Sequence, residues 1–361
     1  MKRTPLYEEH VKLGARMVDF AGWDLPVMYT SIIDEHAATR TAAGLFDVSH
    51  MGEILVKGAQ AKTLLGRLIP TSMDRLIPGH CMYSCLCNER GGVVDDIFIF
   101  MIGEGDYYIV VNAATAEKDL AWINGHNETS AAVIDVSAET AKIDLQGPRA
   151  REIAARVLDD DTPAGLARFQ FTHVTYGSSP MMVSHSGYTG EHGYEFFLPN
   201  ANAVKLWTGI LDAGRDLGLK PAGLGARDSL RLEAAYSLYG HEITDDISPI
   251  EAGIGWFVNS ADDYIGKEIL VAHKAGGAGR ETVCIEIPGR GVPREGCAVY
   301  SGDDRLGTMT SAGFSPTLRK GIGLALVRRG TAQAGMDVQV EIRGARIPAR
   351  VVRRPFYKFH D

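Results

Sequence analysis

Gly91-Gly92-Val93-Val94-Asp95-Asp96-Ile97-Phe98-Ile99-Phe100 reads as a turn followed by a strand that is apolar on both faces, except for two adjacent carboxylates. Side chains alternate across a strand, so one Asp must point each way. A strand apolar on both faces is buried on both, and a carboxyl carried there is desolvated and its pKa is raised. The competing reading is a strand-start Asp exposed beside the 88–92 turn. Segment 82–87 supplies the other arm of a hairpin whose turn is marked by Gly91-Gly92. Two registers are open, one bringing Tyr83 and the other Ser84 opposite Asp96. Cys81, Cys85 and Cys87 share a face by parity, but their spacing is not a usual zinc pattern and no matching Cys/His pair follows. Buried thiols acting as small hydrophobes account for them.

Working outward, strand patterns recur at 54–57, 107–112, 142–146, 173–176, 181–185 and 194–198. Helical periodicity marks 8–13, 32–43, 59–68, 114–124, 201–217 and 226–235. The mixture lacks a regular βαβα alternation, so the expectation is an α+β fold of mainly antiparallel sheets. His273-Lys274-Ala275-Gly276-Gly277-Ala278-Gly279-Arg280 reads as a flexible Gly-rich linker. Beyond it, short strands at 283–287, 298–300, 307–310, 323–326, 338–342 and 347–352 suggest a separate all-β, barrel-like unit.

At 361 residues the chain exceeds the size at which one core stops growing, so two or three domains are expected. The formal net charge is −8 and Lys and Arg are scattered, which argues against nucleic-acid or anionic-membrane binding. The longest apolar runs are strand-sized, and the charged N-terminus carries no apolar signal segment. Five cysteines suit reduced thiols. A cytoplasmic protein is expected.

Two further segments could carry chemistry. Ser184-His185-Ser186-Gly187-Tyr188-Thr189-Gly190-Glu191-His192-Gly193-Tyr194-Glu195 is a Gly-punctuated loop entering a strand; its glycines would let backbone approach a flat ligand, and the plainer reading is an ordinary hairpin loop. It lacks any phosphate-cradle spacing. Gly223-Leu224-Gly225-Ala226-Arg227-Asp228 resembles a loop entering a helix whose free N–H groups favour an anion. Arg231 and Glu233 beyond it read as surface ion-pair residues. No Ser-His-Asp or Cys-His arrangement is marked, and His50, His185, His192 and His241 are expected to be structural.

Several ordered blocks together resemble the T-protein family of the glycine cleavage system. They include Arg3-Thr4-Pro5-Leu6-Tyr7-Glu8-Glu9-His10, Asp19-Phe20-Ala21-Gly22-Trp23, Gly44–Glu53, Gly91–Asp96, Tyr188–Glu195, Gly223–Asp228, Glu251–Trp256, Thr310–Leu318 and Pro355-Phe356-Tyr357. The resemblance implies a three-domain cloverleaf of mainly antiparallel sheets with a C-terminal barrel-like domain. Residues 1–272 would form a folate-binding region of two interleaved α+β domains, the second at roughly 53–130, and 281–361 the barrel.

The implied activity is aminomethyl transfer: the methylene of an aminomethyl group, carried on the lipoyl arm of the H-protein, passes to tetrahydrofolate with release of ammonia. By position Asp96 matches the family's catalytic carboxylate. Glu195 and Arg227 match folate-binding positions, and Tyr83, Tyr188, Asn112, Met51 and Tyr236 match pocket-lining ones. No metal is implied. A carboxylate such as Glu195 suits the N–H donors of an amino-pyrimidine edge, and aromatic walls suit its faces. Asp96 could stabilise a cationic iminium and relay a proton, charge stabilisation being the larger effect.

The nearest rival is a tetrahydrofolate-dependent demethylase of a small methylated substrate. A non-catalytic folate-binding relative would carry a Lys-Gly-Cys-Tyr run, which this sequence lacks. Pro70-Thr71-Ser72-Met73 and His241 depart from the family pattern.

Overall fold

The computed structural model describes residues 1–158 and 162–359, so the last two residues of the expected barrel unit lie outside it. The opening stretch forms strand Val93–Gly103, second in a five-stranded sheet ordered Cys81–Cys87, Val93–Gly103, Asp106–Val111, Gly52–Lys57 and Ala132–Asp135. It is apolar on both faces because both are covered. Ile97, Ile99 and Met101 pack with Leu64, Leu65 and Ile123 of the sheet's own helices, Ala61–Leu68 and Ala116–Gly125. Phe98 and Phe100 turn the other way, against Phe171, Met182 and Phe197 of a second sheet. The rings of Phe100 and Phe197 meet edge to face at 5.4 Å.

That second sheet has six strands in the order Phe171–Tyr176, Ser179–Ser184, Gly193–Pro199, Thr140–Gln146, Ala43–Asp47 and Leu219–Pro221. Only the short last strand pairs in parallel. Its outer face buries Ile143, Leu145 and Tyr194 against Trp207 and Ile210 of helix Ala203–Gly214 and Ile153 of helix Ala150–Leu158. The third unit is a closed six-stranded barrel, Arg280–Ile287, Lys320–Arg328, Asp304–Ser315, Ala298–Ser301, Asp337–Ile342 and Ala345–Val352. The α+β architecture with a C-terminal barrel agrees with the expectation.

Several expectations are corrected. The expected linker is largely helix: Lys267–Gly276 runs through His273 and Lys274, with Gly277 at φ +92° ending it. His273 Nδ1 meets Ser248 Oγ at 3.2 Å, so its backbone and side chain are both held. Helix Ile32–Thr41 stops two residues short of 43 because Ala43 already belongs to a strand. The hairpin Arg16–Phe20 with Trp23–Met28, helix Ala150–Leu158 and strand Ala132–Asp135 lacked a sequence pattern strong enough to mark them. Among the described residues no helix is long and apolar enough to cross a membrane.

Candidate active site

The register of the Cys81–Cys87 hairpin sets Cys85, neither Tyr83 nor Ser84, across from Asp96, and a bulge at Leu86/Cys87 seats the turn. Tyr83 pairs with Phe98 and reaches Asp96 diagonally along the same face. Its hydroxyl donates to Asp96 Oδ2 at 3.0 Å. From the neighbouring strand end, the Asn112 amide donates to Asp96 Oδ1 at 2.7 Å and to Asp95 Oδ1 at 2.9 Å. Both acceptors are carboxylates, which fixes the orientation of that amide. Asp95 is fully buried and also accepts the Asn112 backbone N–H at 2.9 Å. The exposed strand-start reading therefore fails for Asp95, while Asp96 keeps partial access to solvent.

Burial first, and then the charge of Asp95, pushes the Asp96 carboxyl up to about 7, although the Tyr83 and Asn112 hydrogen bonds pull it back. Tyr83 is walled by Phe98 at 5.5 Å, Phe257 at 5.5 Å and the stacked, exposed indole of Trp256 at 6.3 Å.

Across the sheet interface lies a second cluster. Glu195 pairs with Asp144 on the adjacent strand, and Lys142 Nζ sits 2.6 Å from Glu195 Oε1. Ser186 donates to Glu195 Oε2. Burial raises the Glu195 carboxyl, but Lys142 and Ser186 outweigh it, so Glu195 ends below the usual range. Asp144 takes the opposite course: burial and the charge of Glu195 push it up to about 7 despite Lys142 and Arg227. Arg227 donates to Asp144 Oδ2 at 2.9 Å and lies over the Tyr188 ring at 4.9 Å. Tyr188 stacks on Tyr236 at 5.7 Å and 29°. Met51 Sδ lies 3.4 Å from Lys142 Nζ.

Tyr188 is linked to both clusters: the charges of Asp96 and of Arg227 each act on its hydroxyl, which donates to Ser237 O. Of the eight residues singled out by position, Tyr83, Asn112 and Asp96 fall in the first cluster and Met51, Tyr188, Glu195, Arg227 and Tyr236 in the second. Lys142, Asp144 and Gln146 were missed. They alternate with Ala141, Ile143 and Leu145, which reads as a half-exposed strand; yet all three polar residues are buried, because the inner face of this sheet is covered by the first.

The other segments resolve differently. The 185–192 stretch is a hairpin loop between paired strands, and a Cβ on Gly187 or Gly193 would strike the Gln146 side chain at under 3 Å. Those glycines admit Gln146, which donates to Ser186 O at 3.1 Å and accepts from Thr189 at 3.0 Å. Helix Leu224–Glu233 does attract an anion at its start, but the protein supplies it: Glu35 Oε2 accepts the Gly223 N–H at 2.9 Å. Arg231 and Glu233 are buried, not surface residues. Arg231 holds Glu242 and Ser311, and Glu233 holds Arg40, His36, Thr317 and Ser315 of the barrel.

Among the histidines, burial drives His50 down to about 3, so it stays neutral. Of the departing residues, Thr71 meets Ser84 at 2.7 Å, one residue from Tyr83, and His241 Nδ1 meets Thr310 O at 3.0 Å. Cys85 and Cys87 lie in an apolar cluster, and no group of three His, Cys, Asp or Glu suited to a metal occurs among the described residues.

Comparison with known proteins adds an independent line. A family model described as the GCVT N-terminal domain matches residues 6–262, and one described as the glycine cleavage T-protein C-terminal barrel domain matches 280–358. The chain is 45% identical to the aminomethyltransferase of Bacillus mycoides (strain KBAB4), over 99% of this chain and 98% of that one. It is also 45% identical to the aminomethyltransferase of Geobacillus kaustophilus (strain HTA426), over 99% of both. Its fold matches the crystal structure of glycine cleavage system aminomethyltransferase T from Bartonella henselae with a TM-score of 0.92 at 33% identity, over 99% of this chain and 98% of that one.

Proposed function

The chain belongs to the glycine cleavage T-protein family, and from that premise we propose an aminomethyltransferase whose reacting site is the lining around Asp96. Its substrates are the S-aminomethyldihydrolipoyl group of an H-protein and tetrahydrofolate. Its products are 5,10-methylenetetrahydrofolate, ammonia and the dihydrolipoyl protein.

The residues present suit a reduced pterin. Glu195, kept anionic by Lys142, is an acceptor for the N–H groups of an amino-pyrimidine edge. Tyr188, Tyr236 and Met51 offer walls for its faces, and Arg227 has N–H groups beyond the one given to Asp144. Tetrahydrofolate supplies the nucleophilic nitrogen that accepts the carbon.

The observation that carries the catalytic assignment is the Asp96 carboxyl, half-buried, gripped by Tyr83 and Asn112, and raised to about 7. In its charged form it stabilises the cationic one-carbon unit formed as a leaving group departs. With its pKa near neutrality it can also take up the proton released by the attacking nitrogen, so relay and charge stabilisation are both open to one group.

The test is direct. The protein is incubated with aminomethylated H-protein and tetrahydrofolate, and ammonia and methylenetetrahydrofolate are quantified together. Formation of both in equal amounts is expected; formation of neither overturns the reading. A parallel incubation with a small methylated amine in place of the H-protein tests the demethylase alternative.

A further inference from the structure

Behind Asp96 lies a carboxyl that the reaction as described leaves idle. Asp119, on helix Ala116–Gly125, is fully buried, and no N–H or O–H donor of the described residues reaches either of its side-chain oxygens. Its neighbour is the equally buried Asp95, whose carboxyl it meets. Thr115, the nearest hydroxyl, already donates to Asn112 O at 3.1 Å. Two carboxylates in contact in a dry interior cannot both ionise, and one of them must carry a proton to bridge them. Asp95 already receives two N–H bonds from Asn112, which favour its charged form, whereas Asp119 receives no N–H bond and has beside it only the Thr115 hydroxyl, which bears on both carboxyls.

We propose that Asp119 is a positioning residue for the reaction: it holds the bridging proton for Asp95, and the single negative charge left on that pair acts on Asp96 through and beside the shared Asn112 amide. The inference rests on the reading of Asp96 as the reacting carboxyl. The pair lies on one face of strand Val93–Gly103 and Asp96 on the other, so Asn112, reaching round the strand with one amide hydrogen to each Asp, is the physical link.

Other groups bear on the same carboxyl. Tyr83 and Cys85 face it from the paired strand and Tyr188 from the loop beyond, with Arg227, Arg231 and Glu242 acting on Tyr188. Lys118 bears on Asp119 from the helix. Thr115 bears on both members of the pair. The directions agree with the proposal: Asp119 is pushed up to about 10 by burial and by Asp95, and the charge of Asp95 is the largest influence on Asp96 after burial.

The test needs no turnover, so it stands apart from the proposed activity. Protein labelled with 13C at the aspartate carboxyls is titrated by NMR from pH 5 to 8, with Asp96→Asn, Asp95→Asn and Asp119→Asn spectra assigning the signals. Asp119 is expected to stay protonated throughout. Asp95→Asn removes the charge and should lower the Asp96 midpoint by ~1 unit or more. Asp119→Asn keeps the shape and a donor while removing only a group that is already neutral, so the Asp96 midpoint should stay in place. Asp119→Leu keeps the size and removes the bridging donor, so Asp95 should take up a proton at higher pH and the Asp96 midpoint should fall, as it does in Asp95→Asn. Ionisation of Asp119 within that range in the native protein, or an Asp96 midpoint unmoved in Asp119→Leu, would overturn the proposal. If Asp95→Asn fails to fold, the Asp119→Leu arm still decides it.

Discussion

Tyr83 donates to Asp96 at 3.0 Å although the ladder pairs it with Phe98, two residues along the strand. The diagonal contact leaves the position straight across from Asp96 to a small thiol, Cys85, and Asp96 keeps partial access to solvent.

Tyr83→Phe removes a hydrogen bond that favours the charged form of Asp96. Hydrogen bonds to charged groups contribute about 1.5–3 kcal/mol, so kcat/KM is expected to fall roughly ten- to a hundredfold. The same loss moves the acid limb of the pH–rate profile to higher pH, because Asp96 then ionises later. An unchanged acid limb would count against the contact.

Asp96→Asn preserves shape and removes charge. Turnover should drop by about 10²–10³-fold or more while tetrahydrofolate affinity, measured calorimetrically, changes little. Full retention of turnover would remove Asp96 from the chemistry.

Lys142→Met leaves the Glu195 carboxylate buried without its cation. Stability is expected to fall by about 3–5 kcal/mol in a denaturant titration. Glu195 in the native protein is held below its ordinary range, so it is anionic across neutral pH. In the variant its pKa rises, and folate binding should weaken as pH falls from 8 to 6. Binding that is equally tight at both pH values would refute the role given to Lys142.

Glu233→Gln tests the seam between helix and barrel. Burial raises this carboxyl, but His36, Ser315 and Arg40 outweigh it and hold it at about 2, against an ordinary 4.5. A depressed folded-state value means the contribution is complete above 4.5 and is lost as pH falls towards 2. The variant should be less stable at pH 7 and should show a flatter loss of stability between those limits in thermal unfolding.

Much of this was legible in residues 93–100, because a strand apolar on both faces points to burial on both and brought both carboxylates to notice, although the exposed strand-start reading stayed open in the sequence. The barrel strands were equally plain from their alternation. Choosing Asp96 over Asp95 required the family resemblance, since parity says only that the two diverge. Lys142 and Asp144 escaped because a polar stripe on a strand ordinarily faces water, and nothing local reveals that another sheet covers it. Arg231 and Glu233 escaped for the same reason: their partners, Glu242, Arg40 and Ser315, come from distant parts of the chain.

Strand Ala43–Asp47 lies beside Thr140–Gln146, Gly44 opposite Gln146, while every strand of the five-stranded sheet falls between them in sequence. Joining those two strands therefore closes a long loop, and its entropic cost shrinks once the intervening chain has collapsed and drawn its own ends together. The expected order of folding is accordingly nested, inner sheet before outer. On the ribosome the first forty-odd residues must wait, their apolar surface uncovered, until about a hundred more have emerged and organised themselves.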